Sequence, residues 1–199
     1  MSSKNKERIA YFDIAKALLI FIVIFHHESF AARDTHIEGS LQWNFTFLPL
    51  YASWFMPAFF FITGYCTNFE KDFRGFAVNN LRTLIWPAVS IFFVLAVFHA
   101  FAAADIAAFF DDCNTIPIRG FNWFLMALFL SKMLMWTINH YVRNLTLAGV
   151  ATLLIGIIAI CMNDADFLGG NYLHHRHALY LTIFLFCGYA ARQKALLND

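Results

Sequence analysis

Charge is scarce in this sequence: Asp, Glu, Lys and Arg make up 14% of its 199 residues. A water-soluble chain of that length needs about a quarter of its residues charged to cover its surface. The few cations form no basic stripe or basic domain, and the formal net charge is +1, so nothing favours a nucleic-acid partner. Cysteine is equally sparse. Cys66, Cys113, Cys161 and Cys187 stand far apart without paired spacing, which argues against a disulfide framework or a zinc site. Three of them lie in or beside apolar runs, where Cys acts as a small hydrophobe. Internal repeats, low-complexity tracts and Ser- or Gly-rich linkers are lacking too, so residues 1–199 read as a single domain. What is present is apolar bulk: 60% hydrophobic residues, including 25 Phe, arranged in long runs that a water-facing fold could not hide. The expected fold class is all-α, a polytopic membrane helix bundle.

Six apolar segments stand out, at residues 9–30, 45–67, 83–104, 121–138, 145–162 and 178–191. Most have the roughly 18–23 residues that a helix needs to cross about 30 Å of hydrocarbon, and the last is the shortest. Six crossings place Lys4, Lys6, Arg8, Lys71, Arg74, Arg82, Arg143, Arg192 and Lys194 on one side, against Arg33, Arg119 and Arg176 on the other. That bias predicts cytoplasmic termini. A competing reading makes the basic start and the apolar stretch 17–25, with Ser29 and Ala31, a cleaved signal peptide. Asp13 and Lys16 at the mouth of the stretch argue against it. In the loop 105–120, the piece 106–110 followed by Asp111 and Asp112 predicts a short amphipathic segment along the membrane surface.

The first segment, YFDIAKALLIFIVIFHHESF, holds the most informative residues. An ionisable group inside a membrane helix is expensive and by default faces the protein interior or a wet cavity. Lys16 and His27 are eleven positions apart, which is about 20° around a helix and about 16 Å along it. Asp13 lies one turn from Lys16, within reach of an ion pair. The three share one face as two separate stations, while His26 points some 80° away. Lys16 suits an anion at the cytoplasmic end, and a neutral His27 deeper in the helix suits a proton acceptor. The plainer alternative is a snorkelling Lys16 anchored by Asp13, with His27 as a packing residue.

The pattern Asp13-x-x-Lys16, then ten residues, then His27, resembles the first helix of the acyltransferase-3 family, the multi-spanning enzymes that O-acylate sugars and polysaccharides. Lys in place of the commoner Arg, within FDIAKALLIFIVIFHH, is similar to the branch of fucose 4-O-acetylases. PAFFFITGYC (57–66) resembles the family's aromatic second helix with its Thr63-Gly64 step, and NWFLMALF (122–129) its Trp-Phe-Leu motif. IFLFCGYAAR (183–192) resembles the helix that closes with Gly188-Tyr189. LRTLIWP (81–87) fits in part, since Asn79 with Arg82 stands where the family often has two Arg. Members usually continue through further helices, about ten in all, so the resemblance covers the N-terminal part of the family domain. It leaves open a fragment, a truncated product, or a short variant completed by homo-oligomerisation.

The resemblance implies acyl transfer from an acyl-CoA, most simply acetyl-CoA, to a glycan hydroxyl in a bacterial inner membrane, with no metal. Lys16 and Arg82 would hold the donor's phosphates, Lys as a point charge. His27 would deprotonate the acceptor or carry the acyl group, and Asp13 would orient Lys16. Thr63, Gly64, Asn122 and Trp123 are candidates for the substrate path. Helix packing for Thr63-Gly64, and an interfacial belt residue with a cap for Trp123 and Asn122, explain them equally. The outer-loop cluster His174, His175 and His177 suits a glycan contact or a solvated loop better than a metal. The rival functions are a transporter of glycan or its lipid-linked precursor, and an inactive truncated membrane protein. Pro49 and Pro57 interrupt the second segment, but the broken-helix signature of transporters is not evident.

Overall fold

The computed structural model describes residues 10–34, 42–115, 123–161 and 175–198, and all regular structure among them is helical. In chain order the helices are α1 (Ala10–Asp34), α2 (Gln42–Cys66), α3 (Phe73–Asn80), α4 (Trp86–Ala103), α5 (Ile106–Thr115), α6 (Trp123–Tyr141), α7 (Leu145–Cys161) and α8 (His175–Asn198). A single π-helical turn, Leu81–Ile85, joins α3 to α4. Each expected apolar segment coincides with a helix, and α2 runs unbroken through both of its prolines.

The third segment starts ten residues earlier than its apolar text, because the polar stretch from Phe73 belongs to the same rod. Phe73–Ala103 is a 31-residue helix, the one described helix long and apolar enough to cross a membrane by itself. Its start is fixed by Asp72, whose carboxylate accepts the Gly75 N–H at 2.7 Å. The π turn has a local cause in Pro87. A proline without an N–H cannot bond the carbonyl four residues back, and its ring crowds that carbonyl. The chain widens by one residue ahead of it, and the Trp86 N–H bonds to Leu81 O, five residues back. The rod stops where Ala104 takes a left-handed conformation, φ 51°. That reversal folds α5 against α4, with the Phe93 and Phe109 rings edge-to-face at 5.6 Å. The segment expected along the membrane surface is thus a true helix whose Ile106 and Phe110 remain exposed.

The core is built around α8, which packs against α2, α6 and α7, while α1 packs on α2. Phe60, Met135 and Leu185 are wholly buried there. The α2–α8 crossing is backbone to backbone. A Cβ on Gly64 would strike the Leu185 carbonyl, and one on Gly188 would strike the Phe61 carbonyl. Small residues at a crossing let helices approach this closely, and van der Waals contact then holds them. One hydroxyl ties α6 to α8: Ser131 donates to Ala178 O at 2.8 Å, a carbonyl that also accepts the Thr182 hydroxyl within α8 at 2.6 Å.

One end of the bundle is fixed by contacts between distant segments. Phe12 near the start of α1 meets Tyr65 near the end of α2 at 4.7 Å. Trp136 Nε1 on α6 donates to Lys71 O, and an Arg192 N–H on α8 donates to Thr67 O, both at 2.9 Å. Tyr189 Oη donates to Asn139 Oδ1 at 2.7 Å. The α1 start, the α2–α3 and α6–α7 connections and the end of α8 therefore meet at one end. Lys71, Arg74, Arg143, Arg192 and Lys194 gather there, as the charge sorting along the sequence requires.

Candidate functional site

Helix α1 carries its ionisable residues inward. Tyr11, Ile14, Leu18, Ile20 and Phe21 are exposed, whereas Phe12, Asp13, Ala15, Lys16 and Leu19 are buried or half-buried. The inward set recurs at three and four residues, the spacing of one helical face. Asp13 and Lys16 therefore face the bundle, as the cost of an ionisable group in an apolar helix demands. Asp13 also takes part in a further interaction. His27 lies on α1, but its side chain falls outside the described ones, as does that of His26.

The other expected positions are distributed differently. Arg82 sits on the π turn with its side chain exposed, so the structure does not gather it beside Lys16 in the interior. Thr63 is buried in α2, and its carbonyl accepts both the hydroxyl and the N–H of Thr67, which closes the helix end. Gly64 is occupied by the α8 backbone, so the close approach at Thr63-Gly64 is that of another helix. Trp123 opens α6 with its side chain outside the described ones, and Asn122 lies outside the described residues. Among the described residues no group of three metal-ligating side chains converges. His177 is half-buried beside Tyr180, at 5.7 Å between rings, and His174 is outside the described residues.

Sequence reasoning missed Lys132. Of the 14 Lys and Arg, only Lys16 and Lys132 fall inside apolar runs. Lys132 is half-buried on α6, its Nζ lying 6.0 Å from the centre of the Phe76 ring of α3. It lies within electrostatic range of Lys16, and the two ammonium groups repel one another. The test that singled out Lys16, an ionisable residue in an apolar run, would have found it.

Asn80 was missed as well. It is buried on α3 one turn beyond Phe76, where Nδ2 donates to Phe76 O at 2.8 Å. Its Oδ1 is the one buried side-chain polar atom without a hydrogen-bond partner among the described residues. The Phe76 carbonyl fixes which amide atom points where, since only the NH₂ can donate to it. No sequence signal marks Asn80, because an Asn at a polar helix start usually serves as a surface or capping residue.

The basic end gathers these groups at a similar depth. Counted along each helix at about 1.5 Å per residue, Lys16 lies about 9 Å beyond the start of α1 and Lys132 about 14 Å before the end of α6. Phe76 and Asn80 lie about 5 and 11 Å into α3 by the same count. Two cations thus occupy the interior of the half that carries the basic loops.

Comparison with known proteins adds one strong match. Residues 9–198 match the family model of the acyltransferase domain, Acyl_transf_3. No curated protein and no solved structure matches the chain. The match spans nearly the whole sequence and every described helix, and the chain belongs to this family of membrane acyltransferases.

Proposed function

We propose that the protein is a polytopic O-acyltransferase that moves an acyl group, most simply acetyl, from acyl-CoA to a hydroxyl of a cell-surface sugar or polysaccharide. The observation that carries this reading is the inward-facing Lys16 at the basic end of a bundle from this family. The six apolar segments cross the bilayer, and the basic end faces the cytoplasm of a bacterial inner membrane, following the Lys and Arg bias. Acyl-CoA is cytoplasmic and polyanionic, so its phosphates meet cations where that end opens. Arg82, exposed at the π turn, suits a contact on the outside of the bundle, and Lys16 suits one inside it. Asp13, one turn away, orients Lys16.

His27 is the base in this scheme. Its neutral imidazole takes the proton from the acceptor hydroxyl as the oxygen attacks the thioester carbonyl. The C–S bond breaks, the acyl group stays on the sugar oxygen, and the proton passes from the imidazolium to the departing thiolate. The substrate path beyond His27, including Asn122 and Trp123, belongs to the same proposal.

Labelled acetyl-CoA, membranes containing the chain and isolated cell-surface glycan test it directly. Transfer should be present in the wild type and lost in His27→Ala with insertion unchanged. Normal transfer by His27→Ala would remove the histidine from the mechanism. Movement of glycan without covalent change would favour transport instead.

A further inference from the structure

Among the described residues Lys132 has no partner that accounts for its position. Among the described residues no carboxylate is paired with it, and the one charge acting on it is the like charge of Lys16. The Phe76 ring lies at the outer limit of a cation–π contact, at 6.0 Å. Two ammonium groups repelling one another inside an apolar bundle are stabilised by a shared anion, and their attraction for it is stronger there than in water. The orphaned Asn80 Oδ1, on the same face of α3 as Phe76, points to a ligand independently. It needs an N–H or O–H donor, which none of the described residues supplies.

We propose that Lys132 and Asn80, on facing sides of the seam between α6 and the α3–π-turn rod, complete the acyl-donor site opened by Lys16. Lys132 and Lys16 hold a phosphate of the donor between them, and Asn80 Oδ1 accepts an amide N–H from its pantetheine arm. This rests on the acyl-CoA reading and adds to it a residue from a second helix. The chemistry suits this ligand class because one molecule carries phosphates and amide N–H groups along one chain. An anionic lipid headgroup offers the first without the second.

The test is binding of coenzyme A, and separately of pantetheine without its phosphates, to the purified full chain in phosphatidylcholine nanodiscs. Lys132→Met should weaken coenzyme A binding about tenfold or more, flatten its dependence on salt, and leave pantetheine binding unchanged. Lys132→Arg should restore most of the affinity. Asn80→Leu, close in volume, should weaken both ligands. Lys132→Gln serves in place of Lys132→Met if the latter is not monodisperse. In Lys16→Met/Lys132→Met the two losses should fall short of additive, since both cations hold one anion. Unchanged coenzyme A binding in Lys132→Met or Lys132→Gln overturns the assignment and leaves the acyl-CoA reading intact. A wild-type chain that binds no coenzyme A overturns both.

Discussion

Adding one methyl group at the α2–α8 crossing tests the architecture most sharply. In Gly188→Ala the new Cβ would meet the Phe61 carbonyl, with Tyr65 N at 2.8 Å. Neither atom can rotate away, because both belong to the α2 backbone. The helices must therefore part by about an ångström, loosening the packing around Phe60 and Leu185. Overpacking of this kind costs about 1–3 kcal/mol, and a rigid backbone neighbour places it near the upper figure. Ala is the better helix former by about 1 kcal/mol, which leaves a net loss of about 2 kcal/mol. For a chain of this size that is about 4–8 °C in melting temperature. Gly64→Ala should cost as much, because its Cβ meets the Leu185 carbonyl. Gly149→Ala is the control: its Cβ meets only the Phe186 ring, at 2.9 Å, and a side chain can swing aside. It should be neutral or slightly stabilising. Once one methyl has separated the helices the second costs little, so Gly64→Ala/Gly188→Ala should be clearly less than additive. Thermal unfolding in a mild detergent, followed by loss of the monodisperse chromatographic peak, reads all four variants. Gly188→Ala melting with the wild type, or below it by no more than Gly149→Ala does, would refute the backbone-contact reasoning.

Smaller effects are expected elsewhere. Asn144→Ala removes the acceptor of the Thr146 and Leu147 N–H groups at the start of α7. It should cost about 1 kcal/mol, and unaltered melting would show that the cap is replaceable. Ser131→Ala deletes one of two hydroxyl bonds to Ala178 O. It should cost about 0.6 kcal/mol, and more when Thr182→Ala is added, as paired melting curves would reveal.

The helices were legible in the sequence because a membrane span is read by the length of an apolar run, and length survives without periodicity. The facing of the helices was not. α4 and α7 are apolar on all sides, so nothing in their text distinguishes a lipid-facing stripe from a packed one. α1 is the exception, since Asp13 and Lys16 mark its inward face. The Thr63-Gly64 and Gly188-Tyr189 steps were visible as places where helices come close, but their mutual contact is a tertiary fact. The early start of the third helical segment escaped notice because RGFAVNNLRT is polar text, and hydropathy does not register a helix continuing through it. The π turn needed Pro87 to be read as a cause four residues upstream. Lys132 was open to detection; its neighbours in FLSKMLMW resemble ordinary membrane text, and only its charge stands out.

The Gly64–Gly188 contact joins positions 124 residues apart in a chain made from one end. At about 5–20 residues per second, the glycine face of α2 is exposed for about 6–25 s before its partner is synthesised. In that interval α1 and α6 are made and can meet α2, through the Phe12–Tyr65 and Phe59–Phe124 ring contacts, but the α8 backbone is still missing from the crossing. The packing around α8 therefore closes last. A ribosome-stalled chain ending before α8 would lack the helix on which α2, α6 and α7 converge. Such nascent chains are natural clients for whatever factors shield unfinished membrane segments, and their half-life would depend on the arrival of the last helix.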